Sequence, residues 1–115
     1  MTSFSEKVYR LTKKVPRNRV TTYKEIARAM GTKAYRAVGQ ALKRNPYAPQ
    51  VPCHRVVSTQ GTIGGFGGQT TGKAIQKKKA LLKKEGIQFT GNRVKNFKKL
   101  RFLFPRAMQQ NQTSC

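Results

Sequence analysis

With 115 residues, 25 lysines and arginines against three acids, and a net charge of +22, the chain is a single small cationic domain. No apolar run approaches the roughly 20 residues of a membrane span, and no signal-peptide pattern opens the sequence. Two cysteines, Cys53 and Cys115, imply no disulfide framework, so the expected compartment is reducing: the cytoplasm, or the nucleus of a eukaryotic cell. So lopsided a charge points to nucleic acid or another anionic surface, with binding that weakens as salt rises.

Phe4, Val8, Leu11 and Val15 recur at helical spacing as far as Pro16, which predicts an amphipathic first helix opened by the capping box Ser3-x-x-Glu6. Residues 17–23 form a short basic connection in which Val20-Thr21-Thr22 is weakly strand-like. A second capping box, Thr22-x-x-Glu25, precedes a short helix over about 23–30 that Gly31 ends. A further helix is expected over about 33–44, stopped by Asn45-Pro46. Two short helices around a glycine turn make 23–44 a helix-turn-helix candidate; a plain helical hairpin fits the same spacing.

An irregular, proline-rich stretch over 45–51 delivers Cys53 into a short apolar run, 52–57, expected to be extended. Six glycines between 61 and 72 predict a loop able to approach a ligand closely. An amphipathic helix follows over about 73–85, with Ile75 and Leu82 on one face and lysines on the other. Residues 87–104 alternate basic and apolar residues and suit a strand or a short helix. A polar tail closes the chain from about 105. The expected fold is one α+β domain, mostly helical and winged-helix-like, built around the helix-turn-helix with a short active-site strand or loop.

The chemistry concentrates at Pro52-Cys53-His54-Arg55-Val56, which holds the chain's one histidine. A thiolate is the reactive form of cysteine, and cationic surroundings favour it. Neighbours in an extended strand point to opposite faces, so His54 would need a water or a bend to reach Cys53. There is no aspartate, and Glu6 and Glu25 belong to capping boxes. Glu85 stands before Gly86 at a helix end, where the dipole disfavours negative charge, and is the candidate to orient His54. A core cysteine beside an incidental histidine fits the same residues. Two cysteines and one histidine cannot close a structural zinc site, and no metal or cofactor is expected.

The segments Arg36-Ala37-Val38-Gly39, Asn45-Pro46 and Pro52-Cys53-His54-Arg55-Val56-Val57 resemble the O6-alkylguanine-DNA alkyltransferases. The likeness continues through Gly61-x-x-Gly64, Gly67-Gly68, Leu81-Leu82-x-x-Glu85-Gly86 and Arg93-Val94. It spans about residues 4–100, that family's C-terminal catalytic domain; many members carry a further N-terminal domain, absent here. The resemblance implies a DNA-repair protein that moves an alkyl group from O6-alkylguanine, with O4-alkylthymine a further candidate, onto Cys53. His54 would act as a water-mediated base with Glu85 holding its other nitrogen, and Asn45 would brace the turn before the active-site segment. Arg36 would enter the duplex in place of the extruded nucleotide. Tyr23 would crowd the 3′ phosphate and assist the departing guanine.

Val56, Gly64, Phe66 and Gly67 would line the base pocket with Tyr23 and Arg36. Ser5, Thr22, Lys24, Thr32, Ala37 and Thr59 would join Tyr23 and Arg36 in contacting DNA. Small residues at Ala34, Ala37 and Gly39 suit a recognition helix in the minor groove. Gly67 stands where some members have a serine, the loop after Gly68 is longer than usual, and Lys73 aligns with a family lysine. Extruding a base costs a few kcal/mol, which inserted side chains and phosphate contacts offset. A thioether has no obvious route back to thiol, so each molecule would act once, as a monomer on double-stranded DNA, with cooperative binding left open. Two other functions compete: an alkyltransferase-like protein that flags lesions without chemistry, whose members typically lack the cysteine, and a basic helix-turn-helix regulator. Cys115 is expected to have no role.

Overall fold

The computed structural model describes residues 3–47, 50–64 and 72–104. Phe66, Gly67, most of the glycine loop, the polar tail and Cys115 lie outside the described residues. Among the described residues, five α-helices, four two-residue strands and one 3-10 turn surround two apolar clusters.

The first cluster belongs to the helices. α1 (Phe4–Lys13) is capped by Ser3, whose hydroxyl accepts from the Glu6 amide at 3.1 Å, and it buries Val8 and Leu11. α2 (Tyr23–Ala29) is capped by Thr22 in the same way, at 3.0 Å from the Glu25 amide. α3 (Tyr35–Lys43) packs on both. Val8, Ile26, Val38 and Val56 meet at the centre with no exposed surface, each stabilising the fold by roughly 1.5–3 kcal/mol.

Gly31 ends α2 at φ +73°, with Gly31 N bonded to Arg28 O and Thr32 N to Ala27 O, a Schellman cap. α3 starts later than the 33–44 expectation. Lys33 and Ala34 are spent on the turn, where the Ala34 amide donates to Thr32 Oγ1 at 3.2 Å. The helix-turn-helix is therefore real and tight.

β1 (Thr21–Thr22) pairs in parallel with β2 (Val56–Val57), Thr21 opposite Val56 and Thr22 opposite Val57. The extended conformation expected across 52–57 holds only at β2. Cys53–Arg55 is a 3-10 turn, closed by Arg55 N to Pro52 O at 2.9 Å. Proline at 52 cannot donate, and its carbonyl is free to accept this bond.

The second cluster unites Val20, Val57, Leu82, Ile87 and Val94. α4 (Lys73–Lys84) supplies Leu82 and ends in a second Schellman cap, Gly86 N to Lys83 O and Ile87 N to Leu82 O, with Gly86 at φ +93°. Its lysines are not all on the outer face, as expected, because Lys78 is fully buried. Residues 87–104 contain both alternatives offered by the sequence: an antiparallel hairpin, β3 (Phe89–Thr90) with β4 (Arg93–Val94), then the one-turn helix α5 (Phe97–Leu100). The chain then bridges the free edge of β1, Val20 pairing with Arg101. Among the described residues no helix is long and apolar enough to cross a membrane.

Candidate functional site

Asn45 sets the approach to Cys53. Its side chain donates from Nδ2 to Val51 O at 2.9 Å and accepts from the Tyr47 amide at 2.9 Å, locking the connection that follows α3. The same Val51 carbonyl accepts from the Cys53 amide at 2.8 Å. The helix-turn-helix and the cysteine turn thus share one hydrogen-bonded joint.

Within the 3-10 turn, adjacent residues no longer alternate across a strand. Cys53 is a half-buried free thiol packed against the helical cluster. His54 is buried and reaches Glu85, Nε2 to Oε2 at 2.9 Å. Arg55, absent from the expected site residues, grips the same carboxylate from Nε and Nη2 at 2.9 and 2.8 Å, and its Nη1 donates to Val15 O. Burial alone would raise the Glu85 pKa. The hydrogen bonds from Arg55 and His54 outweigh it and hold the carboxyl below its ordinary value. An ionised carboxylate only accepts, so His54 must donate from Nε2; in the neutral ring the lone pair of a base then sits on Nδ1.

Two further groups lie within electrostatic reach of Cys53. Tyr23, first residue of α2, is pushed up to about 12 by burial and by Cys53, so its hydroxyl stays a donor at neutral pH. A side chain at Gly64, whose φ is +71°, would sit 3.5 Å from the Tyr23 hydroxyl, so glycine keeps that face open. Lys78 donates from Nζ to Val56 O at 2.7 Å, and burial pulls it down to about 7 while the Cys53 charge opposes. The sequence reading aligned a family lysine with Lys73, which is exposed at the start of α4; the lysine brought to the cysteine is Lys78. Its signal was present, since Ile75, Lys78 and Leu82 lie at i, i+3 and i+7 on the apolar stripe.

The remaining expected residues divide. Thr22, Lys24, Thr32 and Thr59 line one cleft of about 830 Å³ beside the helix-turn-helix. Arg36 and Ala37 are exposed in the first turn of α3, and Val56 is buried in β2. Ser5 is half-buried in the first turn of α1 and is not among the residues lining that cleft. Phe66 and Gly67 lie outside the described residues.

Comparison with known proteins agrees with this layout. Residues 3–87 match the family model described as 6-O-methylguanine DNA methyltransferase, DNA binding domain. The methylated-DNA–protein-cysteine methyltransferase of Thermococcus kodakarensis is 48% identical over 89 residues, 76% of this chain and 47% of that protein. The chain spans about half the length of the curated relatives it matches. Among solved structures, Mycobacterium tuberculosis OGT in complex with DNA is 40% identical, with a TM-score of 0.66 over 74% of this chain and 50% of that one. S. pombe Atl1, in complex with damaged DNA containing O6-carboxymethylguanine, is 34% identical with a TM-score of 0.74 over 91% of this chain and 98% of its own. Together with the helix-turn-helix fold, the match across most of its length makes this chain a member of the 6-O-methylguanine DNA methyltransferase family through that family's DNA-binding domain.

Proposed function

We propose that this domain binds double-stranded DNA through its helix-turn-helix, from the minor groove and as a monomer, and takes an alkyl group from O6-alkylguanine onto Cys53. In this reading the domain is the part of the family that carries the alkyl acceptor. The observation that carries it is that His54, next to Cys53 in the same turn, is held by Glu85, while Tyr23, packed with Cys53 against the same apolar cluster, stays protonated.

The step balances without a cofactor. The thiol proton passes to His54 Nδ1, directly or through a water, and the sulfur attacks the alkyl carbon. A carbon–sulfur bond forms and the carbon–O6 bond breaks, its electron pair staying on the guanine. Tyr23 supplies the hydrogen bond or proton that the departing base needs, and protonated Lys78 steadies the thiolate. The base must leave the stack first, and in this reading Arg36, exposed on α3, fills the gap. The thioether leaves no acceptor, so each molecule acts once.

A second reading is favoured by one observation: the likeness to Atl1 extends over nearly all of both chains, whereas the curated methyltransferases are matched over about half their length. Lesion binding without transfer is that alternative. Mixing the protein with excess duplex bearing one O6-methylguanine, then recording intact mass and mapping peptides, decides between them. One added methyl on Cys53, lost in Cys53→Ala, is the expected result. Lesion-selective binding with no added mass would overturn transfer in favour of flagging.

A further inference from the structure

The cleft beside the helix-turn-helix has a wall that lies beyond residues 3–87, the span shared with the family model. Thr22, Lys24, Thr32 and Thr59 line it together with Arg101 and Leu103, from the segment that follows α5. This segment is fixed along its length. Phe102 N donates to Val20 O at 2.6 Å, Thr21 Oγ1 to Phe102 O at 3.0 Å, and Arg19 reaches Leu100 O and Arg101 O. At its far end Phe104 N donates to Glu25 Oε2 at 2.7 Å and Phe104 O accepts from Arg28. The wall is thereby bolted to α2 itself.

We propose that Arg101 is a phosphate-binding residue of the DNA interface, and that residues 100–104 extend that interface beyond the family domain. Arg101 is exposed, and its guanidinium lies 6.0 Å from the centre of the Phe97 ring. No carboxylate pairs with it among the described residues; Glu25, which also lines the cleft, is occupied by Arg28 and Phe104. A guanidinium on an anchored backbone, beside hydroxyls and Lys24 and paired with no carboxylate among the described residues, fits a phosphate oxygen. Because the backbone is already ordered, little conformational entropy is lost on binding. The likeness to Atl1, crystallised with damaged DNA, covers 91% of this chain and so reaches past residue 87. The inference rests on the DNA-binding reading above.

The test is a salt titration of binding to one duplex, with and without a single O6-methylguanine, for the wild type, Arg101→Ala and Arg101→Lys. One lost phosphate contact lowers the slope of log affinity against log salt by about 0.9, so Arg101→Ala should lose about 3.5-fold less affinity than wild type between 50 and 200 mM salt. Its weakening should be equal on damaged and undamaged duplex, and Arg101→Lys should keep the wild-type slope. An Arg101→Ala slope equal to that of a salt-sensitive wild type would overturn this inference alone. Arg101→Lys behaving like Arg101→Ala would also overturn it, pointing to packing on Phe97 instead of charge. A wild type that does not bind duplex would overturn the DNA-binding reading beneath it.

Discussion

Glu25 on α2 accepts Arg28 Nε on one oxygen at 2.8 Å, and Arg28 Nη2 with the Phe104 amide on the other, at 2.6 and 2.7 Å. Glu85 at the end of α4 accepts Arg55 Nε on one oxygen at 2.9 Å, and Arg55 Nη2 with His54 Nε2 on the other, at 2.8 and 2.9 Å. The two sites have the same wiring and differ in the third donor. A backbone amide has nothing further to offer, so Glu25 ties a distant segment to α2. An imidazole has a second nitrogen, so Glu85 turns the same fork into an orienting device beside a thiol. In the proposed function, that one exchange of donor is what brings in chemistry.

The largest effect should come from breaking each fork in turn. Glu85→Gln should slow single-turnover transfer to Cys53 by about 10²–10³-fold, the range of a lost general base. Glu25→Gln should leave the rate at saturating DNA unchanged. Both should lower the unfolding free energy read from urea denaturation, by about 1–3 kcal/mol for a buried group left wrongly paired. Equal slowing in the two variants would erase the contrast.

Lys78 gives the next largest effect, on stability against pH. Its value is about 7 in the fold and about 10.5 in the unfolded chain, so between these the unfolded state binds the extra proton. Stability should therefore rise from pH 7 toward 10.5 by an amount on the order of a few kcal/mol. Lys78→Met should lack the rise in pH-dependent urea unfolding and should also transfer more slowly.

The acid side has the opposite sign. Glu85 is held below its ordinary 4.5, so its contribution is complete above that pH and is lost as pH falls through the lower folded value. Acid unfolding of Glu85→Gln should be correspondingly shallower than that of the wild type.

The smallest effects compare the two helix caps. Gly31→Ala meets no atom within 4 Å and should cost only the strain of φ +73°, about 1 kcal/mol. Gly86→Ala adds a contact of 2.6 Å with Asn18 Oδ1 and should cost about 2 kcal/mol. Because it follows Glu85 directly, it should also slow transfer, which Gly31→Ala should not.

The parts of this site that were legible in the sequence are those whose pattern is local. Glu85 stood out as a lone acid at a helix end, and Cys53 and His54 as neighbours in one short motif. Capping boxes and Gly31 located α2 and α3 to within two residues. Arg55 was overlooked because its partner lies 30 residues away and nothing local marks the pair. Lys78 was hidden in the run Lys77-Lys78-Lys79, where charge outweighed its place on the apolar stripe. The 3-10 turn was missed because Val56-Val57 pulls the segment toward strand, and only Pro52 argues otherwise. Strands of two residues have no periodicity to read, which left 87–104 open. The Glu25 fork was beyond sequence altogether, since it joins residues 79 apart.

That separation has a consequence for how the protein is made. β1 is flanked on one side by Val56 and on the other by Arg101, so its two neighbours leave the ribosome at very different times. The helices of the DNA-binding unit can close early, around contacts near in sequence, whereas the Glu25 fork waits for Phe104. A nascent chain therefore holds Glu25 through Arg28 alone, without the Phe104 amide, until synthesis has passed residue 104. Chains ending just short of that point should fold reluctantly and be caught by proteolysis, although every residue around Cys53 is present.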